Sequence, residues 1–244
     1  MLDASESGAA AAPRDRVAMS RFWWLWLPVA VVLALFAWPQ AFPASYRAWV
    51  GGELGALELL HVLIPLASLV LAGRMLVLAQ VRRQPLLWAW LALAALGSLY
   101  IAGEEASWGQ HYLGWGTPES WQGLNDQNET NLHNISSWLD QKPRALLELG
   151  VIIGGIVIPL AALRWPAIRR ARLAIILPPF LCLPSAVIAE AVRMSERALS
   201  TLAPGTTLFE RASEVQELYF YLFILLYLIV LRRRLIPRIA DIDP

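Results

Sequence analysis

The chain has 244 residues, 57% of them hydrophobic and 16% charged, and its mean hydropathy is +0.50. This balance excludes an ordinary soluble domain, which carries more charge, and predicts a polytopic membrane protein. The single cysteine, Cys182, lies in an apolar run, so an internal disulfide and a cysteine-based metal site are excluded.

Six apolar runs are each long enough to cross a hydrocarbon core of about 30 Å. We therefore predict an all-α, polytopic membrane protein with six transmembrane helices and an outer amphipathic interfacial helix between helices 3 and 4. The membrane domain takes residues 19–235, with an outer loop or lid at 103–144, and the polar segments 1–18 and 236–244 are predicted to be cytoplasmic tails, the first of them disordered. The six helices are predicted at residues 22–38, 54–78, 86–102, 145–163, 173–191 and 215–231.

The distribution of charge along the chain predicts the orientation of these helices. Fourteen of the twenty Lys and Arg residues fall on the side that holds both termini and the 2–3 and 4–5 loops. The positive-inside rule then places both termini in the cytoplasm and the 103–144 segment outside, at the periplasmic face of a bacterial inner membrane. Only five of the nineteen acidic residues lie on the inner side, so the outer surface is predicted to be strongly acidic.

Carboxylates belong to five of the six predicted helices, all near the outer ends. A carboxylate at this depth is costly and usually marks a functional site that faces the bundle interior. The helix dipole stabilises acids at N-terminal ends, which is an alternative explanation for Glu148 and Glu214. It disfavours Glu104, Glu105 and Glu190, which end helices 3 and 5, so these three need an Arg, a proton or a metal as counter-charge.

Two Glu–His pairs occur at helical spacing. Glu58 and His61 share one face of helix 2, as in the di-metal carboxylate sites of helical bundles, although a core histidine hydrogen-bonded to a glutamate gives the same pattern. Glu129 and His133 repeat the pairing on the predicted interfacial helix, which Asn128 caps and which runs to residue 139. A solvated polar face is the alternative explanation for this second pair.

Two motifs stand out around the third helix, GEEASWGQ at 103–110 and NDQNETNLHN at 125–134. They are accompanied by Glu53-x-x-x-x-Glu58 upstream and by Glu214-x-x-Glu217 near the end of the chain. Together they resemble an uncharacterised family of bacterial multi-pass membrane proteins with EE-x-SWGQ and Q-x-E-x-NLHN motifs. The resemblance covers the third helix and the following loop well and the rest loosely, and it implies no established activity. Many members have Arg at the position of His111.

We hypothesise that these residues form an outward-facing Glu/His/Asn pocket of a metal-dependent enzyme that acts on a lipid or envelope substrate. Carboxylate and imidazole ligands suit a divalent metal such as Zn, Mn or Fe, whose bound water would hydrolyse or transfer a group on the substrate. The predicted catalytic residues are Glu104, Glu105, Glu129 and His133. The predicted metal ligands are Glu58, His61, Glu105, Glu129 and His133, and the predicted ligand-binding residues are Trp108, Gln110, Asn128, Asn131, Asn134, Glu214 and Glu217.

Two other functions would use the same residues. A non-catalytic envelope assembly protein would dock a protein partner on the acidic surface, and a cation- or proton-coupled transporter would use the carboxylates as ion sites. Against transport, the inner half of the bundle has almost no polar residue apart from Arg74, and no internal repeat is visible. The chain has no phosphate loop, nucleophile elbow, dinucleotide fingerprint or DNA-binding signature, so membrane lipid is the predicted partner and nucleic acid is not.

Overall fold

The computed structural model describes residues 19–52, 55–119, 137–171 and 173–236. All regular structure in this part of the chain is helical, and it contains six helices long and apolar enough to cross a membrane. The prediction of an all-α polytopic membrane protein with six transmembrane helices is therefore confirmed. Most of the predicted interfacial helix falls on residues 120–136, which lie outside the described residues.

We number the helices α1 to α9 in chain order. Three of them are short: α2 (Pro43–Trp49), α4 (Ala79–Arg82) and α6 (Gln110–Leu113). Two of the long helices contain π-helical turns, at Phe22–Trp26 and at Ile152–Val157. The six long helices are α1 (Phe22–Ala41), α3 (Ala56–Leu76), α5 (Pro85–Glu105), α7 (residues 137–164), α8 (Leu183–Leu202) and α9 (Ala212–Leu235).

The fourth span begins earlier than its apolar run predicts. The run starts near residue 145, but helix α7 is already regular from residue 137. Its first turns are amphipathic rather than uniformly apolar, so hydropathy alone misses them. Pro85, by contrast, marks the start of α5, because a proline in the first helical turn lacks only an N–H that the helix does not use.

The fifth span is irregular over its first third, where the sequence predicts a continuous helix from residue 173. Short 3₁₀ turns at Ala174–Ile176 and Phe180–Cys182 precede α8, and Pro178 and Pro179 lie between them. Two consecutive prolines remove two N–H donors and leave nearby carbonyls without helical partners. Side chains of α9 replace these donors, because Arg234 Nη1 donates to the Leu177 carbonyl at 2.7 Å and the Tyr227 hydroxyl donates to the Ile176 carbonyl at 2.7 Å.

Helix α9 is the centre of the bundle. In its apolar window 67% of the residues are buried, against 11–33% in the other five spans. It packs against α3 and α8, and α3 packs in turn against α5. The Tyr219 hydroxyl of α9 also donates to the Pro28 carbonyl of α1. Polar residues on the buried face of α9 are therefore held among several helices at once.

Two glycines bring α7 close to its neighbours. A Cβ placed on Gly155 would lie 2.4 Å from the Ala186 Cβ of α8 and 2.9 Å from the Phe223 ring of α9. Gly154 has ordinary contacts with Pro178 and Phe223. Close approach of this kind is the usual reason for glycine at helix contacts in membranes. The close packing at Gly155 fixes the position of α7, and therefore of its Arg144 and Glu148, relative to α9.

The two ends of the bundle differ in charge. One end, which we call the acidic end, collects the carboxylates of five helices: Glu58 of α3, Glu105 of α5, Glu148 of α7, Glu190 of α8, and Glu214 and Glu217 of α9. Arginines such as Arg74, Arg82 and Arg234 lie at the ends of helices on the opposite side. The candidate site lies at the acidic end.

Candidate functional site

Three side chains from two helices meet at the acidic end. Glu58 and His61 come from the first two turns of α3, and Glu105 is the last residue of α5. One ligand atom of each lies within 4.8 Å of the others, and we call these three residues the Glu–His group. His61 is only 1% exposed, whereas both carboxylates are partly exposed, so the group is reached from the end of the bundle rather than from its side.

The backbone of α9 fixes the orientation of the His61 ring. Nε2 lies 3.0 Å from the Glu214 carbonyl oxygen, which can only accept, so Nε2 carries the hydrogen. Nδ1 then faces the Glu105 Oε2 at 3.4 Å. An imidazole whose other nitrogen donates to a carbonyl is the usual arrangement of a metal-ligating histidine.

Glu105 is held from its other side by α9. The buried Tyr221 hydroxyl donates to Glu105 Oε1 at 2.7 Å, which leaves Oε2 turned toward His61. The Tyr221 and His61 rings also contact each other edge to face, with their centroids 5.4 Å apart. Both side chains that face each other in the Glu–His group are thus fixed by hydrogen bonds to the same neighbouring helix.

Arg211 partly neutralises the carboxylates on the α9 side. Its Nη2 lies 2.7 Å from Glu58 Oε1 and also pairs with the Glu214 carboxylate. Its Nη1 donates to the Gly51 carbonyl at 3.3 Å. Among the described residues, the buried Glu214 Oε2 has no hydrogen-bond donor. One guanidinium therefore pairs with two of the three carboxylates in this region, those of Glu58 and Glu214.

The chain turns sharply just after Glu105. Ser107 and Trp108 have φ of +44° and +54°, in the left-handed region that non-glycine residues rarely adopt, and Gly109 follows at +104°. The turn folds the Trp108 ring back onto Gly103, where any Cβ would lie 2.8 Å from the indole. Trp108 Nε1 donates to Glu104 Oε1 at 2.7 Å. Strained backbone of this kind clusters at functional sites, where the surrounding structure maintains it.

A second polar group lies beside the first, where α7, α8 and α9 meet. Gln216, which is 1% exposed, accepts through Oε1 from Arg144 Nη2 at 2.9 Å and from Arg193 Nη1 at 3.4 Å. Arg144 pairs with Glu217 at 2.9 Å, and Arg193 Nε lies 2.8 Å from Glu148 Oε1. We call these five residues the arginine group. Glu217 also lies within electrostatic range of His61 and Tyr221, which places the two groups side by side.

The short helix α2 covers part of the acidic end. Its Tyr46 is 1% exposed and packs against Gly51. Burial raises the pKa of Tyr46, and the carboxylates of Glu210 and Glu214 raise it further. The ring therefore stays neutral at physiological pH.

The structure brings together some of the predicted site residues and separates others. Glu58, His61 and Glu105 meet, whereas Glu104 points to Trp108 and belongs to no metal-binding group among the described residues. Gln110 Nε2 donates to the Thr117 hydroxyl, and Glu214 and Glu217 pair with arginines. The predicted residues outside the described part of the chain are Asn128, Glu129, Asn131, His133 and Asn134.

Three residues at the site were not predicted from sequence as site residues: Tyr221, Gln216 and Arg144. Gln216 and Arg144 have a recognisable signal, because both are polar residues at the boundary of an apolar run and such residues in membrane helices mark functional sites. Tyr221 has no such signal, since tyrosine is common near membrane interfaces. The contacts of Tyr221 with Glu105 and His61 distinguish it from the other tyrosines of α9.

The fold and the site together define a polytopic helical membrane protein with a buried histidine and paired carboxylates at one end of its bundle. Comparisons of the chain with models of protein families, with curated proteins and with solved structures found no match.

Proposed function

We propose that the chain is a metal-dependent membrane enzyme in which Glu58, His61 and Glu105 bind a divalent cation. One observation carries this proposal. With its Nε2–H directed at the Glu214 carbonyl, a neutral His61 presents the lone pair of Nδ1 to the Glu105 carboxylate at 3.4 Å. Two lone pairs repel unless a proton or a cation lies between them.

The separation of these two atoms fits a metal ion between them. A proton shared between an imidazole and a carboxylate draws the heavy atoms to about 2.7–2.9 Å. Two ligands of a tetrahedral zinc, each about 2.0–2.2 Å from the ion, lie about 3.3–3.5 Å apart. Glu58 supplies the third ligand atom within 4.8 Å, and this donor set suits Zn, Mn or Fe.

The local charge also favours a divalent cation. Glu58, Glu105 and Glu214 bring three carboxylates close to His61, and Arg211 pairs with two of them. Carboxylates at this depth in a membrane are costly, and a divalent cation would stabilise them.

Glu58, His61 and Glu105 would hold the ion, which would supply an activated water for hydrolysis of an ester or phosphoester in a lipid or envelope substrate. In that reaction the oxygen of the water would form the new bond, the ester bond would break, and the leaving alcohol would take up the proton. Such a hydrolysis consumes one water and no other co-reactant. Glu104, Glu105, Glu129 and His133 keep the catalytic roles proposed for them from the sequence, and Glu129 and His133 also keep their proposed roles as metal ligands.

We also propose that the acidic end faces outward from a bacterial inner membrane and that both termini are cytoplasmic, on the basis of the excess of arginine at the opposite end. The GEEASWGQ motif, shared with the family that the chain resembles, would then surround the site on the periplasmic side.

The metal content of the purified full-length protein tests the proposal. We expect close to one equivalent of Zn, Mn or Fe by elemental mass spectrometry, and its loss in the variants Glu105→Gln and His61→Ala. Glu210→Gln is the matched control, because Glu210 is a carboxylate at the same end of the bundle that pairs with Arg47 and lies outside the Glu–His group. It should retain the metal.

Wild-type protein without stoichiometric metal, before and after incubation with each of the three ions, would refute the proposal. It would mean that His61 and Glu105 share a proton instead. Equal metal content in wild type and Glu105→Gln would also contradict it, because the neutral amide removes the charge that the cation neutralises. A His133→Ala variant that binds metal normally would limit the site to the three described ligands.

A further inference from the structure

We infer that the arginine group, formed by Arg144, Glu148, Arg193, Gln216 and Glu217, binds the phosphate of a phospholipid headgroup that also carries an ammonium group. The inference about binding stands on this group alone. The conclusion that the bound phospholipid is the substrate of the neighbouring Glu–His group rests on the proposed function.

Unused hydrogen-bond donors point to an acceptor-rich ligand. Gln216 is 1% exposed, yet its Nε2 has no acceptor among the described residues. Arg144 Nε is buried and equally without an acceptor in the described part of the chain. The Nε of Arg193 lies against Glu148 but lacks the alignment of a hydrogen bond. Guanidinium and amide donors are the usual means of holding a phosphate.

An unused acceptor points to an ammonium group. Glu190 lies one turn before Arg193 on α8, within electrostatic range of Arg193, Arg197 and Glu148. Its Oε1 is buried and has no donor among the described residues. Since Glu148 and Glu217 are paired with arginines and Arg197 lies near Glu190, these surroundings carry no excess charge. A zwitterionic headgroup supplies N–H donors for Glu190 without adding net charge, whereas an anionic headgroup would add a negative charge that nothing there balances.

The surroundings suit a lipid rather than a free ion. The side chains of Arg144 and Arg193 are about one quarter exposed, at 25% and 26%, so the group opens to the outside of the bundle. Apolar residues on the same two helices are strongly exposed, among them Leu146 and Leu149 of α7 and Met194 of α8. These residues would contact acyl chains while the headgroup occupies the arginine group.

The isosteric variant Gln216→Glu tests the inference. Its carboxylate keeps an oxygen for Arg144 and Arg193 but replaces the amide donor with a charged acceptor, so it removes phosphate binding while preserving the contacts that hold the helices. Calorimetric titration of the detergent-solubilised full-length protein with a dihexanoyl phosphatidylethanolamine should give an affinity about tenfold weaker for Gln216→Glu than for wild type. Gln84→Glu, at the opposite end of the bundle, should bind as wild type.

Headgroup preference provides a readout that a purely structural role would not change. Wild type should bind the ethanolamine lipid more tightly than the corresponding choline lipid, which has no N–H, and than the glycerol lipid, which is anionic. Glu190→Gln should abolish the preference over choline. Absence of any preference in wild type, or unchanged binding by Gln216→Glu, would overturn the inference, and inorganic phosphate that binds as tightly as the lipid would overturn the lipid as its source.

The outcome is separable from that of the proposed function. Glu105→Gln should lose the metal and still bind the lipid, and Gln216→Glu should bind the lipid about tenfold more weakly and still hold the metal. Lipid binding by a protein that never contains metal would support the arginine group while refuting the metal centre. A protein that contains the metal but does not bind the lipid would support the metal centre and refute lipid binding by the arginine group.

Discussion

Replacement of Gly155 by alanine should destabilise the bundle because α7 has no room for a side chain there. The added Cβ would lie 2.4 Å from the Ala186 Cβ, where ordinary contact begins at 3.4 Å. Ala186 has no rotamer that moves its Cβ away, so the two helices must separate. Overpacking of this kind costs about 1–3 kcal/mol, and the better helix propensity of alanine offsets about 1 kcal/mol of it.

Thermal unfolding in detergent, followed by tryptophan fluorescence, measures this effect. A net loss of up to about 2 kcal/mol corresponds to a decrease in Tm of up to about 8 °C for a chain of this size. Gly150→Ala is the matched control, because Gly150 precedes Gly155 by about one turn and a half on the same helix and its added Cβ would meet nothing within 4 Å. Its Tm should stay the same or rise slightly. Equal Tm values for the two variants would refute the argument that α7 is held in place by close packing at Gly155.

Two further predictions concern the site and its orientation. Tyr221→Phe removes the hydroxyl that orients Glu105 and should weaken metal binding by about 10–100-fold. Tyr227→Phe is the control, because it loses a hydroxyl far from the site and should leave metal binding unchanged. Equal metal affinity in both variants would contradict the role assigned to Tyr221. Ala44→Cys on α2 lies at the acidic end and should react with a membrane-impermeant maleimide in intact cells, whereas Gln84→Cys at the opposite end should not. The native Cys182 is fully buried and should stay unlabelled, so it adds no background. The opposite labelling pattern would reverse the proposed orientation.

The GEEASWGQ motif gains a physical interpretation from the turn at Ser107–Gly109. The second glutamate of the motif belongs to the Glu–His group, and the first accepts from the tryptophan. The motif glycine adopts φ +104°, which only glycine tolerates easily. The motif therefore combines one residue of the Glu–His group with a sharp turn that returns Trp108 to Glu104.

The prediction of regular structure was accurate where the signal is local and failed where it is not. Long apolar runs identify the six spans because any segment in a bilayer must satisfy its own backbone. The irregular start of the fifth span was missed, since prolines are tolerated inside membrane helices and only the donors from Arg234 and Tyr227 decide that the chain leaves the helix here. The early start of α7 was missed because its first turns are not apolar.

At the site, the sequence by itself determined the residue types, their depth and their spacing within each helix. Carboxylates near helix ends, the Glu58–His61 pair and the acidic character of one end all follow from local pattern. The tertiary structure decided which of these side chains meet. His61 faces Glu105 instead of its helical neighbour Glu58, and Glu58 pairs with Arg211. Glu105 belongs to the Glu–His group and Glu104 does not, because side chains of successive helical residues point about 100° apart around the helix axis. The packing of α5 in the bundle decides which of the two faces His61.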